Sequence, residues 1–212
     1  MVPVSKNLIV VGNAPCSINY SGLIRHADLV LRFNECKQFG GNVGTRTDIL
    51  CINNVGAPAR RYVATRPLLH LEPVRSARLW FPRHAGVCLD HVSRMMHAHP
   101  GLRSQWPDLD FQDYAAEIVT ANDLGHCSVE TFSMDLNTRV FRALEHTGTP
   151  PFFAPSTGML ALARVLEDPA FAGHRVHLVG FGFSGWPGHP WQAERALVAN
   201  DVWLGRLIYY PL

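Results

Sequence analysis

The sequence predicts an α/β protein with a single doubly wound, mostly parallel sheet and helices on both faces. Short, continuous apolar runs recur along the chain and end in glycine or polar residues, as buried strands of parallel sheets do. Segments with a helical spacing of apolar residues alternate with these runs, which is typical of strand–helix–strand units. The arrangement expected from this alternation is Rossmann-like.

Each element is predicted from its own local pattern. The apolar runs predicted to be strands are residues 7–11, 29–33, 48–52, 77–81 and 175–181. The segments predicted to be helices are residues 17–25, 89–97, 129–146, 157–167 and 190–204. The last of these helices is opened by Pro190, because proline is tolerated in the first helical turn.

The length and composition predict one domain. The chain has 212 residues, of which 47% are hydrophobic, and this is enough for one substantial core, so we expect a single domain over residues 1–212. Residues 82–125 hold proline, histidine and tryptophan in irregular order, and we interpret them as an insertion over the site.

The charge pattern and the cysteine count restrict the partner and the compartment. The formal net charge is +2 and no basic run is present, so we expect neither a nucleic acid nor a membrane surface as partner. No segment reaches the length of a transmembrane span, and the apolar N-terminal run is too short for a secretory leader. The 5 cysteines form no CxxC pair, which predicts neither a disulfide framework nor a zinc site. The expected compartment is the cytoplasm.

The turn after the first predicted strand is a candidate phosphate-binding site. Gly12 and Asn13 follow the strand directly, and the backbone N–H groups of such a turn, with a helix N-terminus, favour an anion. An NAD or FAD enzyme is excluded because the GxGxxG fingerprint needs a second glycine, where Ala14 stands here. A plain strand-to-helix turn is the alternative.

The end of the second predicted strand carries a candidate ligand-binding amide. Asn34 lies at the carboxyl end of that strand, which is where open α/β sheets bind ligands. Its amide can donate to a phosphate oxygen and accept from a ribose hydroxyl, although it could equally cap a loop. Arg32 and Arg46 are interpreted as structural ion-pair partners of Glu35 or Asp48.

Two further candidates lie near the C-terminus. Ser156 is predicted to cap a helix that begins with Thr157 and Gly158, and the free amides of such a helix start bind phosphate or ribose; an ordinary cap is the alternative. His189 lies at or next to the next helix N-cap, where the helix dipole disfavours the imidazolium and favours a general base. A capping histidine is the alternative there. Glu194 follows five residues later, and the helical turn rotates it away from His189.

A metal-dependent reaction is a weaker hypothesis. Asp108 and Asp110 form an Asp-x-Asp pair that could hold a divalent ion against a diphosphate. Such a pair is expected to follow a buried strand, whereas the sequence before it, at residues 105–107, is Gln-Trp-Pro. We therefore predict no metal ligand and no cofactor.

Taken in chain order, these stretches resemble the motifs of the family 29 sialyltransferases, which transfer sialic acid from its cytidine monophosphate donor. The long N-terminal motif of that family is similar to VVGNAPCS with LRFNECKQFGGNVGTRTDIL. The short motif is similar to PSTGMLALARVL with HLVGFGF, and the final His-x-x-x-x-Glu motif to HPWQAE. The chain resembles still more closely bacterial proteins labelled urease operon accessory proteins, with the shared pattern RFN-x-C, RTD and GW-x-x-HP-x-x-AE. An ordered set of motifs is far more specific than any one of them.

The resemblance implies a glycosyltransferase that transfers a sugar from a CMP-activated donor to an unidentified hydroxyl acceptor by a metal-independent, inverting mechanism. It implies that His189 is the base that deprotonates the acceptor. It assigns donor binding to Gly12, Asn13, Asn34, Ser156, Thr157, Gly158 and Gly182. Trp186 and Glu194 belong to the same motifs without an assigned role.

The alternative is a non-catalytic nucleotide or sugar-nucleotide binding protein, an accessory factor associated with the urease operon. Sialyltransferases carry a His-Tyr-Tyr type motif before their final histidine, whereas residues 183–188 contain no second histidine. This difference favours the binding protein. The sequence names neither the acceptor nor a protein partner.

Overall fold

The computed structural model describes residues 6–72, 77–105 and 109–212. Within these residues the strands are β1 (Lys6–Val11), β2 (Leu29–Phe33), β3 (Ile49–Cys51), β4 (Arg78–Phe81), β5 (Val129–Thr131), β6 (His174–Val179) and β7 (Leu207–Tyr209). They form one sheet in the order β5-β4-β3-β2-β1-β6-β7, and all its strand pairs are parallel. The predicted α/β class with a parallel sheet is confirmed.

The helices connect successive strands. They are α1 (Ser21–Arg25), α2 (Ala57–Thr65), α3 (Ala85–Ala98), α4 (Ala115–Ala121), α5 (Met134–Glu145), α6 (Thr157–Glu167) and α7 (Trp191–Trp203). Short 3-10 turns lie at Gly41–Val43, Pro67–His70, Pro100–Gln105 and Pro169–Phe171. Within the described parts of the chain, no helix combines the length and the apolar character needed to cross a membrane.

Alternate side chains of each strand pack into apolar layers on opposite faces of the sheet. In β1, Leu8 and Val10 belong to the layer formed with α5, α6 and α7, whereas Ile9 and Val11 pack with α1. Leu50 of β3 similarly faces α2 and α4. This alternation follows from the two-residue period of a strand, and it confirms helices on both faces.

The direction of chain growth changes at β1. The chain runs outward from β1 through β2, β3 and β4 to β5, then returns to the other side of β1 to add β6 and β7. The topological switch point therefore lies between β1 and β6. In open α/β sheets, ligands bind outside the carboxyl ends of the strands at such a point.

One predicted helix is wrong at its start. Residues 129–131 form β5, which pairs with β4 through Leu79 and Val129. Helix α5 begins at Met134, where the Ser133 side chain accepts a hydrogen bond from the backbone N–H of Leu136. The β-branched Val129 and Thr131 suit a strand, and the pairing with β4 stabilises it against the continuous helical pattern.

The other boundaries differ by smaller amounts. β6 ends at Val179 because Gly180 turns the chain with φ 72°. The first helix is confined to Ser21–Arg25, and Pro190 is the N-cap residue of α7 instead of its first helical residue. Elements α2, α4 and β7 were not predicted. Each depends on tertiary packing, since α2 packs on α4 and β7 pairs with β6.

The expected arginine ion pairs are confirmed only in part. Arg46 does pair with Asp48, with an Nε to Oδ2 distance of 3.1 Å. Buried Arg32 instead donates to the backbone carbonyl oxygens of residues 43, 44 and 46, which fixes the Gly-rich loop after β2. Glu35 pairs with Arg61 of α2. A guanidinium has five donors in a planar fork, and loop carbonyls satisfy it as well as a carboxylate does.

Candidate functional site

The sequence-predicted donor residues line one cavity at the carboxyl edge of the sheet. This cavity, called the first cavity below, has a volume of about 520 Å³. The turns after β1, β2 and β6 and the start of α6 form its walls. Its lining includes Gly12, Asn13, Asn34, Ser156, Thr157, Gly158, Gly182 and His189. The structure thus brings together residues from opposite ends of the chain.

The turns after β1 and β6 are joined by a close backbone contact. A Cβ atom at Gly12 would lie 2.2 Å from the carbonyl oxygen of Gly180, so only glycine fits there. The N–H groups of Gly12 and Ala14 donate to the carbonyl oxygens of Val179 and Gly180, at 2.8 and 3.0 Å. The expectation that the Gly12 amide points toward an anion is therefore corrected. Gly12 shapes the cavity by permitting the close approach.

The two asparagines differ in the hydrogen bonds that remain open to a ligand. Asn13 bridges two turns, because its Nδ2 donates to the Phe33 carbonyl at 3.3 Å and its Oδ1 accepts from the Lys37 N–H at 3.0 Å. Asn34 adopts φ 54°, a left-handed conformation that asparagine tolerates. Its Oδ1 accepts from the Asn53 N–H at 2.9 Å, while its Nδ2 has no acceptor among the described residues. That N–H₂ group can donate to a phosphate or ribose oxygen.

The N-terminus of α6 presents free amides to the first cavity. Ser156 is the N-cap as predicted, since its Oγ accepts from the Met159 N–H at 3.0 Å. Within the part of the chain that the structure describes, the N–H groups of Thr157 and Gly158 have no acceptor, as expected for a first helical turn. These two donors and the helix dipole favour an anion in the cavity.

A buried carboxyl group fixes Ser156 from the neighbouring helix. Glu194 of α7 is 1% exposed. Its Oε1 accepts from the Ser156 N–H at 2.6 Å and its Oε2 accepts from the Ser156 hydroxyl at 2.7 Å. Burial raises the pKa of Glu194 to about 7, while the two bonds from Ser156 and the charge of Arg83 oppose the rise. Glu194 therefore positions the α6 N-terminus, a role that sequence reasoning missed.

The tautomer of His189 follows from its hydrogen bond. Its Nδ1 lies 2.7 Å from the carbonyl oxygen of Ala154, which can only accept, so Nδ1 carries the proton and Nε2 the lone pair. The ring is held between Trp186 and Trp191, each with its ring centroid 4.9 Å away. Burial, and next the charge of Arg83, lower the pKa of His189 to about 3, while the Ala154 bond opposes this. The imidazole is therefore neutral at physiological pH.

A second cavity lies on the other side of His189. It has a volume of about 430 Å³. Its walls are mostly apolar and include Val55, Leu109, Phe111, Phe153 and Trp186, together with Arg83, Asp110 and His189. Leu109 and Phe111 belong to the segment predicted as an insertion. His189 lines both cavities, so it is in reach of two different ligands at once.

The acidic pair considered for a metal is only partly described. Asp108 lies outside the described residues. Asp110 accepts from the Tyr114 hydroxyl at 2.8 Å and from the Gln112 N–H at 2.9 Å, and it pairs with Arg60 at 3.7 Å. Among the described residues, no three His, Cys, Asp or Glu side chains come together in a way that could hold a metal ion.

Comparison with known proteins assigns the family. No family model matches the chain. Over 203 residues the chain is 32% identical to the urease operon 23 kDa accessory protein of Rhizobium meliloti (strain 1021), with 94% of this chain and 90% of that protein covered. This chain belongs to the urease operon 23 kDa accessory protein family. The resemblance to bacterial accessory proteins noted in the sequence is thereby confirmed.

Solved structures show which known fold this chain shares. A mammalian sialyltransferase in complex with Gal-beta-1-3GalNAc-ortho-nitrophenol matches with a TM-score of 0.51 at 15% identity, covering 97% of this chain and 69% of that one. Another structure of a mammalian sialyltransferase matches with a TM-score of 0.52 at 15% identity, covering 97% and 68%. This chain therefore has a sialyltransferase-like fold.

Sequence reasoning identified the residues of the first cavity and missed the second cavity. The predicted donor residues follow strands or begin a helix, and both positions are visible as patterns. The role of Glu194 and the environment of Arg83 depend on contacts between distant segments. The His-x-x-x-x-Glu spacing was the one available signal for Glu194, and nothing local distinguished Arg83.

Proposed function

We propose that this protein is a glycosyltransferase that moves a sugar from a CMP-activated donor to a hydroxyl acceptor, with inversion and without a metal ion. The observation that carries the proposal is the position of His189, whose neutral ring lines both cavities with a lone pair on Nε2. A base between a donor cavity and an acceptor cavity is what transfer to a hydroxyl requires.

The donor would occupy the first cavity. The Thr157 and Gly158 amides would receive its phosphate, and the Asn34 N–H₂ group would donate to the nucleotide. Ser156 would act through its position, since Glu194 already accepts from its hydroxyl. These donors are fixed by the fold, so little reorganisation is needed as charge develops on the leaving phosphate.

The reaction would proceed in one displacement. The acceptor hydroxyl in the second cavity gives its proton to Nε2 of His189 while its oxygen attacks the anomeric carbon from the face opposite the phosphate. The bond between the anomeric carbon and the phosphate oxygen breaks, and CMP leaves with the electron pair. The Ala154 carbonyl supports this step because it hydrogen-bonds Nδ1–H of the imidazolium that forms.

The test is a thermal-shift panel of CMP, CDP, UDP, GDP and NAD, each with and without magnesium. We expect CMP to raise the melting temperature without magnesium, because a ligand that binds only the folded state adds about 2.7 kcal/mol of stability at 100 times its Kd. Stabilisation by UDP that requires a divalent ion would contradict the proposed donor. Turnover is then measured with CMP-activated sialic acid and Kdo.

A non-catalytic sugar-nucleotide binding protein is the second candidate. It is favoured by the absence of a second histidine from residues 183–188 and by the accessory name of the relative. Stabilisation by CMP with no turnover of any CMP-sugar would select this candidate.

A further inference from the structure

The second cavity contains a buried cation that has no anionic partner among the described residues. Arg83 is 8% exposed, and no carboxylate of the described residues lies within 4.0 Å of its guanidinium. Its Nε donates to Asn53 Oδ1 at 2.6 Å, and its backbone N–H donates to Asn54 Oδ1 at 3.0 Å. Among the described residues its two terminal nitrogens have no oxygen acceptor. A buried charge in this state is costly unless something pairs with it.

The groups around Arg83 do not neutralise it. The Cys88 thiol contacts it, but burial raises the pKa of that thiol, so the sulfur stays uncharged. Asp110, in the same cavity, is already engaged by Arg60 and Tyr114. Glu194 is close enough to feel the charge of Arg83, yet both its oxygens are bound to Ser156. The guanidinium is thus held by Asn53 and by the Cys88 thiol at the wall of the cavity, and none of these groups neutralises its charge.

The rest of the cavity wall is flat and apolar. Phe153 and Trp186 lie with ring centroids 5.9 Å apart, and Phe111 lines the same space. Aromatic faces of this kind contact a flat ring or the apolar face of a sugar. A ligand that fits the cavity therefore combines such a face with an anionic group.

We propose that the acceptor is an acidic hydroxyl compound, a sugar acid or hydroxy acid whose carboxylate is bound by Arg83. The terminal nitrogens of a guanidinium match the two oxygens of a carboxylate in a bidentate pair. His189 lines the same cavity, so binding at Arg83 presents the acceptor hydroxyl to Nε2. The acceptor role rests on the proposed function, whereas binding of the carboxylate does not.

The test uses two probes that differ in one group. p-Nitrophenyl β-D-glucuronide carries a carboxylate where p-nitrophenyl β-D-glucoside carries a hydroxymethyl group. We expect the wild-type protein to bind the glucuronide at least about tenfold more tightly, as measured by titration calorimetry. Saturating CMP is tested in parallel, so that the nucleotide cavity is excluded as the binding site.

Matched variants separate the charge from the apolar wall. Arg83→Met should abolish the preference for the glucuronide, and Arg83→Lys should retain part of it because the charge remains without the fork. Phe111→Ala should weaken both probes equally. Equal binding of the two probes by wild type, or no binding of the glucuronide up to about 10 mM, would overturn the proposal. Because the wild-type comparison needs no variant, a folding defect in Arg83→Met does not affect it.

The two proposals fail separately. If CMP does not stabilise the protein but the glucuronide preference holds and depends on Arg83, the donor assignment is wrong and the acidic ligand stands. If CMP stabilises the protein but the preference is absent, the nucleotide site stands and the acidic acceptor is wrong.

Discussion

His189 shows how one side chain acquires its properties from four neighbours. The Ala154 carbonyl sets its tautomer, Trp186 and Trp191 fix its plane, and burial with the charge of Arg83 keeps it neutral. His189 directly precedes Pro190, the N-cap of α7, so it lies next to the N-cap as the sequence predicted. An imidazole held in this way keeps its Nε2 lone pair at any physiological pH, although its intrinsic basicity is low.

Replacement of His189 tests its role at the residue scale. We expect His189→Ala to lower turnover of a CMP-sugar by about 100-fold or more, the usual scale for loss of a general base. Stabilisation by CMP should remain. The matched control is His26→Ala, which removes an exposed histidine that also contacts a backbone carbonyl. A loss of stability with unchanged turnover in His189→Ala would instead indicate a structural role.

Glu194 makes stability depend on pH with a defined sign. Its pKa is raised from 4.5 to about 7 in the folded protein, so between these values the folded state binds more protons than the unfolded state. The contribution of Glu194 to the free energy of unfolding therefore falls as pH rises through this window, on the order of 1 kcal/mol per pKa unit. Below 4.5 the carboxyl group is protonated in both states and this loss is absent.

The measurement compares Glu194→Gln with wild type by urea denaturation across that pH range. We expect the free energy of unfolding of the wild type to fall relative to that of the variant as pH rises from 4.5 to about 7, since the amide of the variant does not ionise. The comparison is needed because the lowered pKa of His189 acts with the opposite sign, adding stability as pH rises from about 3 to 6.5. Parallel curves for the two proteins would contradict the assigned pKa of Glu194.

At the scale of elements, the site depends on how three strand ends and one helix start meet. The turn after β1 is hydrogen-bonded to the turn after β6, and Asn13 joins the first of these to the turn after β2. Helix α7 fixes the start of α6 through Glu194. The bond to Glu194 is buried and the bond from Asn13 is part-buried, and together they fix the walls of the first cavity.

Gly12 is the position where this arrangement is most sensitive to one added carbon. Gly12→Ala would place Cβ 2.2 Å from a backbone oxygen of Gly180, which forces the turns apart at a cost of about 1–3 kcal/mol. We expect a lower free energy of unfolding in urea and weaker stabilisation by CMP. The matched control is Gly22→Ala in α1, where an added Cβ meets nothing within 4 Å. Equal effects of the two changes would show that the close contact is unimportant.

At the scale of the whole molecule, the switch point of the sheet brings the two cavities to either side of one histidine. The first cavity is built from β1, β2, β6 and α6, and the second from the segments after β3 and β4. His189, at the start of α7, is in contact with both. A ligand in one cavity can therefore change the properties of a histidine that also lines the other cavity.

This arrangement predicts that a bound nucleotide alters the titration of His189. The phosphate of CMP in the first cavity should raise the pKa of His189 from about 3, because a nearby negative charge favours the imidazolium. We expect the histidine resonance that disappears in His189→Ala to titrate at higher pH when CMP is bound, measured by NMR. An unchanged titration in CMP-saturated protein would place the phosphate elsewhere.

The sequence by itself determined the class of fold and most of the first cavity. Two local patterns were sufficient: apolar runs that end at Gly12 and Asn34, and a capped helix start at Ser156. Burial requires the first pattern in strands of a parallel sheet, and hydrogen bonding requires the second at a helix start. Their positions at strand ends and helix starts were enough to predict a shared edge. The short strand β5 was not predicted, because its three residues carry too little pattern to be distinguished from the neighbouring helix.

Only the tertiary structure decided which distant groups meet. The order of strands around β1, the contact of Gly12 with Gly180, the bonds from Ser156 to Glu194 and the place of Arg83 beside His189 join segments far apart in the chain. Local periodicity says which face of an element is buried but not what it is buried against. The charge, tautomer and pKa of a buried side chain depend on what it is buried against, because its free energy is set by the partners that the whole fold brings to it.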